Sequence, residues 1–178
     1  MPIDPADYFD LSLDDLRHVT RYAVGSADVV LPVFEQVHPQ DGRPRAAVDA
    51  AWTFVNGARR TRLQRVTAMD AHRAAREAGT DAARHAASAA GDAAAAAYLH
   101  PFAKADQVGH ILRAAAHAAC AAEAAAGDPD VGLRRIEEAA QRATPALVDV
   151  LRRYPPAPTG NSRVSLLMKL LDTTLRNR

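Results

Sequence analysis

Residues 80–127 read TDAARHAASAAGDAAAAAYLHPFAKADQVGHILRAAAHAACAAEAAAG. Of the chain's 41 alanines, 23 fall in this one stretch. Alanine is the best helix former and loses no side-chain entropy on folding, so two long alanine runs predict two helices. Pro101 separates them and marks the turn of an antiparallel hairpin whose small side chains let the backbones approach closely. With the turn there, residues whose numbers sum to about 202 lie opposite each other. His85 then faces His117 and Asp92 faces His110. The two members on each helix are seven residues apart, about two turns, so both pairs share one face. Three readings of that face stay open: a structural polar network between packed helices, a solvated face, or a metal or acid/base site. An aspartate beside a histidine favours the protonated imidazole and can fix its tautomer. The Glu-x-x-His pattern typical of metal sites in bundles is missing, and neither a metal nor another cofactor is expected.

Outward from the hairpin, helix signals punctuate the chain. Ser12 with Asp15 reads as a capping box, opening a helix that runs through Leu16, Val19 and Tyr22 towards Phe34, with Pro32 expected to kink or interrupt it. Asp41 is placed to cap the next helix, with Pro44 in its first turn and Val48, Trp52 and Val55 at helical spacing before Asn56-Gly57. A basic helix spans roughly Arg60 to Ala78, and Thr80-Asp81 opens the first alanine helix. Gly127 ends the second. Asp128-Pro129 starts a helix carrying Ile136, Ala140, Leu147 and Leu151, bent at Pro145. Residues 154–160, YPPAPTG, form a stiff connector, and Ser162 opens a terminal amphipathic helix. No stretch alternates like a strand. The reading is all-α: a single-domain bundle of about seven helices around the alanine hairpin. Residues 1–11 form an N-terminal arm, 12–154 the core helices, 155–161 the connector and 162–178 the last helix.

Composition narrows the function classes. The chain has 178 residues and a net charge of +1, which gives no general pull toward nucleic acid or anionic lipid. A single cysteine excludes an internal disulfide and a cysteine-cluster metal site. The start, MPIDPADYFD, lacks the basic and apolar regions of a signal peptide, and the apolar runs fall short of the ~18–20 residues of a spanning helix. A cytoplasmic protein is expected.

Other candidate chemistry is sparse. Asp41, Arg43, Arg45, Asp49 and Trp52 gather at a helix start, where unpaired N–H groups and two arginines can bind an anion or a carboxylate-bearing partner. Equally, Asp41 caps the helix and an arginine pairs with Asp49. Arg59, Arg60, Arg62 and Arg65 give the strongest local positive charge, but no aromatics interleave them, so a solvated face is expected rather than a nucleic-acid footprint. Asp70 and His72 are two apart and do not share a helix face. Cys120, among alanines, is expected to be buried with a raised pKa and inert. Thr159-Gly160-Asn161-Ser162 lacks the lysine and glycine spacing of a phosphate loop, which disfavours an ATPase.

The segment Leu31-Pro32-Val33-Phe34-Glu35, followed by Asp41-Gly42-Arg43-Pro44-Arg45 and the helix to Trp52, resembles a bacterial family of putative immunity proteins linked to polymorphic toxin systems. Asp70-Ala71-His72-Arg73-Ala74-Ala75-Arg76 and Ala89-Ala90-Gly91-Asp92-Ala93-Ala94 are similar to that family's alanine-histidine helices. The likeness covers roughly Leu31 to Ala126. It departs at Gly91-Asp92, where the family often has glycine-histidine, and at Tyr98-Leu99, where it often has alanine-histidine. The chain also resembles actinobacterial proteins that carry the name SbcC-type exonuclease. That activity needs an ATPase head and long coiled coils, for which 178 residues without a phosphate loop have no room.

Two functions follow as expectations. The resemblance implies a non-enzymatic binding protein that masks a toxin-like protein partner through a helical surface, with Asp41 to Trp52 as contact or anchor. The alternative is a small helical enzyme or ligand-binding protein of specialised metabolism. There Asp92, His110, His85 and His117 would supply acid/base or metal-ligand groups, and Arg43 or Arg45 would anchor an acidic substrate or small ligand. Neither nucleic acid nor membrane is expected as a partner, and pairing of two copies stays open.

Overall fold

The computed structural model describes residues 8–178; most of the expected N-terminal arm lies outside the described residues. Eight α-helices follow in order: α1 Leu13–Val37, α2 Arg43–Val55, α3 Arg62–Glu77, α4 Asp81–Ala95, α5 Val108–Ala126, α6 Pro129–Arg142, α7 Pro145–Arg152 and α8 Arg163–Arg176. Among the described residues there is no strand, and no helix is long and apolar enough to cross a membrane.

Side chains named by the sequence set half of the helix starts. The Ser12 hydroxyl accepts from the Asp15 N–H at 3.0 Å while the Asp15 carboxylate accepts from the Ser12 N–H, completing a capping box. Thr80, Asp128 and Ser162 cap α4, α6 and α8 with the N-cap side chain alone, accepting from the N–H of Ala83, Asp130 and Ser165. Each such cap satisfies a backbone donor that the helix itself cannot, and contributes about 1 kcal/mol. Gly127 closes α5 in the left-handed conformation, with φ of 66°, which a side chain would resist.

The two prolines within expected helices have unequal effects. Pro32 lies inside an unbroken α1. Its ring is exposed, so water can hydrate the carbonyl it leaves unpaired, while Leu31 and Phe34 on either side are fully buried and hold the helix to the core. Pro145 does more than bend its helix. The residue before a proline is driven out of the helical region. Thr144 accordingly sits extended, with ψ of 159°, and its hydroxyl accepts from the Leu147 N–H, starting a new helix. The expected sixth helix therefore divides into α6 and α7, giving eight.

α4 and α5 form the centre. α4 packs on α1, α2, α3 and α5, and α5 on α1, α6 and α8. Both helices bury mainly alanine, among them Ala86, Ala89, Ala90 and Ala93 of α4 and Ala115, Ala116 and Ala119 of α5. Larger apolar side chains fill the space around this pair, among them Leu31, Phe34, Phe54, Ile111, Leu112, Leu151, Leu167 and Leu171. The hairpin turn is broader than Pro101 alone. α4 runs into a short 3₁₀ turn at Ala96–Tyr98, and another at Ala105–Gln107 precedes α5. Two ties fix this connection: the Tyr154 hydroxyl donates to the His100 carbonyl at 2.8 Å, and the Phe9 N–H donates to the Pro101 carbonyl.

Candidate functional site

The α4–α5 seam holds the polar groups that the sequence singles out, in a partly different pairing. His85 and His117 meet, with Nδ1 to Nδ1 at 2.9 Å, so one ring donates and the other accepts. Asp92 does not meet His110. Arg113, which shares its α5 face with His110 and His117, takes the place opposite Asp92, with Nη1 at 3.7 Å from Oδ1. His117 Nε2 lies 3.7 Å from the other carboxylate oxygen. A third neighbour comes from outside the hairpin: His72 of α3, with Nε2 3.6 Å from Oδ1. Gly91 makes that approach feasible, because a Cβ there would stand 2.7 Å from His72 Nε2.

Asp92 is only 6% exposed, and its Oδ2 has no hydrogen-bond partner. Burial pushes its carboxyl up to about 7, with Arg113 pulling the other way. Burial pushes His117 down to about 3, and His85 and Arg113 add to that repulsion. His72 and His85 are also lowered by burial. Burial thus favours neutral imidazoles and a carboxyl that titrates near neutrality. Chemically the seam can hold or release a proton at Asp92. Among the described residues, no group of three or more His, Cys, Asp or Glu side chains is arranged to hold a metal ion.

His110 lies with His72 in a half-open groove of about 440 Å³ bounded by Arg65, Met69, His72, Tyr98, His100 and His110. Burial holds its pKa down to about 4. Cys120 is buried and its thiol is pushed up to about 12 by burial, so it is no nucleophile.

The Asp41 to Trp52 cluster spends its arginines internally. The Arg43 guanidinium donates to Asp41 at 2.7 and 2.9 Å and to Glu77 of α3 at 2.5 Å. Arg45 donates to Glu35 of α1 at 2.8 and 2.9 Å, and a 3.5 Å contact brings it to Asp28. The expected pairing with Asp49 is absent; Asp49 is exposed and Trp52 packs half-buried on the core. Gly42 occupies the N-cap position, and Asp41 accepts from the Arg43 N–H one residue further in. These contacts tie α2 to α1 and α3.

The feature that sequence reading passed over is the outer side of α3. Leu63, Val66 and Met69, at steps of three, are 48%, 44% and 51% exposed. The helix buries Gln64, Thr67, Ala68, Ala71, Ala74 and Ala75 instead. The signal was present as a helix with two apolar stripes, one of alanine and one of larger side chains, of which the alanine stripe faces inward because the neighbouring α4 is itself alanine.

A family model described as Imm-5 like putative immunity protein matches residues 10–145, more than half of the chain and all of α1 to α6. No match was found among curated proteins or among solved structures.

Proposed function

The chain belongs to the Imm-5 like putative immunity protein family, and from that premise we propose that it is a non-enzymatic binding protein whose contact face is the outer side of α3. One observation carries this reading: Leu63, Val66 and Met69 form an exposed apolar stripe on a helix whose other side is already packed. Single exposed apolar residues are ordinary, but a helical stripe of large ones loses water contact only when something covers it. The partner, on this reading, is a toxin-like protein that the helix face masks. The internally paired arginines of the Asp41 to Trp52 cluster support an anchoring role for that segment. The seam supports a structural one, because its imidazoles and carboxylate face one another between buried alanines.

Affinity purification of the full chain from its native host tests the reading, comparing the natural protein with a Leu63→Gln, Val66→Gln, Met69→Gln variant. The expected result is a reproducible stoichiometric protein partner with the natural chain and its loss with the variant, whose helicity and thermal midpoint stay unchanged. Repeated failure to recover a partner, or a partner held equally well by the variant, overturns it.

A further inference from the structure

We propose that the segment received by α3 is acidic: a stretch of protein carrying carboxylates around apolar side chains, with one of its side chains seated in the groove beside Met69. This deepens the binding reading above and rests on it.

Arg59, Arg60, Arg62 and Arg65 flank the stripe, and among the described residues none of them lies within ion-pair distance of a carboxylate. Arg60 instead donates to the Ala97 carbonyl at 3.0 Å and lies 5.0 Å above the Tyr98 ring. By contrast Arg43, Arg45, Arg153, Arg163 and Arg176 each hold a carboxylate at 2.5–2.9 Å. Four arginines without a carboxylate partner thus fall within residues 59–65, at the start of the exposed aliphatic stripe. Complementary charge steers encounter and rejects wrong partners, while the apolar stripe supplies the area that closes against the partner.

The groove adds a second, independent element. Arg65 and Met69 belong both to the α3 face and to the groove wall, so the two are continuous. The remaining lining is apolar or imidazole-bearing, from Ala68, Ala95, Tyr98, His72, His100 and His110, and contains no carboxylate. At about 440 Å³ it has room for a large side chain, with Arg65 at its edge to meet an acid beside that chain. A nucleic acid fits this face less well. Leu63, Val66 and Met69 would be pressed against phosphate and sugar, and the stretch offers no row of aromatics on which bases stack. A lipid surface fits less well too, since interfacial helices bury tryptophan, phenylalanine or a broad leucine face rather than three separated side chains.

The test places a photo-crosslinking amino acid at Val66 in the full chain expressed in its native host, and identifies the captured segment by mass spectrometry. The same label at Leu166, exposed on α8, serves as control. The expected result is capture at Val66 of one protein segment with a net negative charge. Capture should fall about tenfold in an Arg62→Glu, Arg65→Glu variant whose helicity is unchanged. A captured segment that is neutral or basic, capture of nucleic acid or lipid, or capture indifferent to the charge reversal overturns the acidic partner while leaving the α3 face standing. Capture at Leu166 but not at Val66 overturns the α3 face itself.

Discussion

Replacing Asp92 with asparagine, which keeps the shape and removes the charge, should stabilise the protein at and above neutral pH and change little below about pH 4. The folded carboxyl titrates at about 7 against 3.8 for an unperturbed aspartate. Between those values the folded chain holds a proton that the unfolded chain has released. Stability of the natural protein therefore falls as pH rises through this window and levels off above it. The displacement is worth about 4 kcal/mol as a ceiling, at about 1.4 kcal/mol per pH unit. Arg113, His72 and His117 stand 3.6–3.7 Å from the carboxylate and can close in on it once it ionises. That relaxation reduces the expected gain from the substitution to roughly 1–3 kcal/mol. The lowered His110 and His117 act in the opposite sense, adding stability as pH rises from their folded values of about 4 and 3 toward the ordinary 6.5. Their contribution is common to both proteins and largely cancels in the difference. Urea unfolding of the two proteins near pH 4, 6 and 8 reads the effect directly. If the asparagine variant is the less stable protein near pH 8, the reasoning fails. Asp92 would then be a buried anion held by Arg113 and its imidazole neighbours, and removing its charge would cost about 3–5 kcal/mol.

Two further substitutions probe neighbouring contacts. Gly91→Ala places a Cβ 2.7–2.8 Å from the His72 ring and should swing that imidazole outward. Its titration, followed by NMR, should then rise toward the ordinary histidine value, while the alanine returns up to about 1 kcal/mol of helix propensity; an unmoved His72 titration would contradict the close approach. Asp172, 1% exposed, accepts from the Ala157 N–H at 3.0 Å and from Arg176 Nε at 2.7 Å. Asp172→Ala should lower unfolding free energy by about 3–5 kcal/mol, because it leaves a buried N–H without an acceptor and a mostly buried guanidinium with only the Tyr154 and Pro155 carbonyls and no counter-charge. A loss below about 1 kcal/mol would show that water replaces both contacts.

Much of the fold could be read from single residues because helix ends are local events. Ser12, Thr80, Asp128 and Ser162 act within three residues of themselves, and each caps the helix expected of it. Proline effects were less legible, since they depend on surroundings. Pro32 is tolerated because it faces solvent between two buried anchors, and Pro145 breaks its helix because Thr144 provides a cap for the next one. The seam was half legible. Register counted from Pro101 brought His85 to His117, but at the other end Arg113 and His72 displaced His110. His72 arrives from a different helix, and only the glycine before Asp92 hinted that something large lies across α4 there. The outer side of α3 was hidden by alanine itself. A helix whose buried stripe is methyl groups gives no contrast by which to tell its inner face from its outer.

The alanine seam also shapes how the protein responds to temperature. Heat capacity rises on unfolding in proportion to apolar area newly exposed, and falls with exposed peptide groups. Where α4 and α5 bury Ala86, Ala89, Ala90, Ala93, Ala115, Ala116 and Ala119, each residue adds a full peptide group to the solvent on unfolding but only one methyl. The centre of this bundle therefore contributes little to the curvature of the stability profile. Its free energy of unfolding should change slowly over the temperatures at which a leucine-packed bundle of the same length would pass through a sharp maximum.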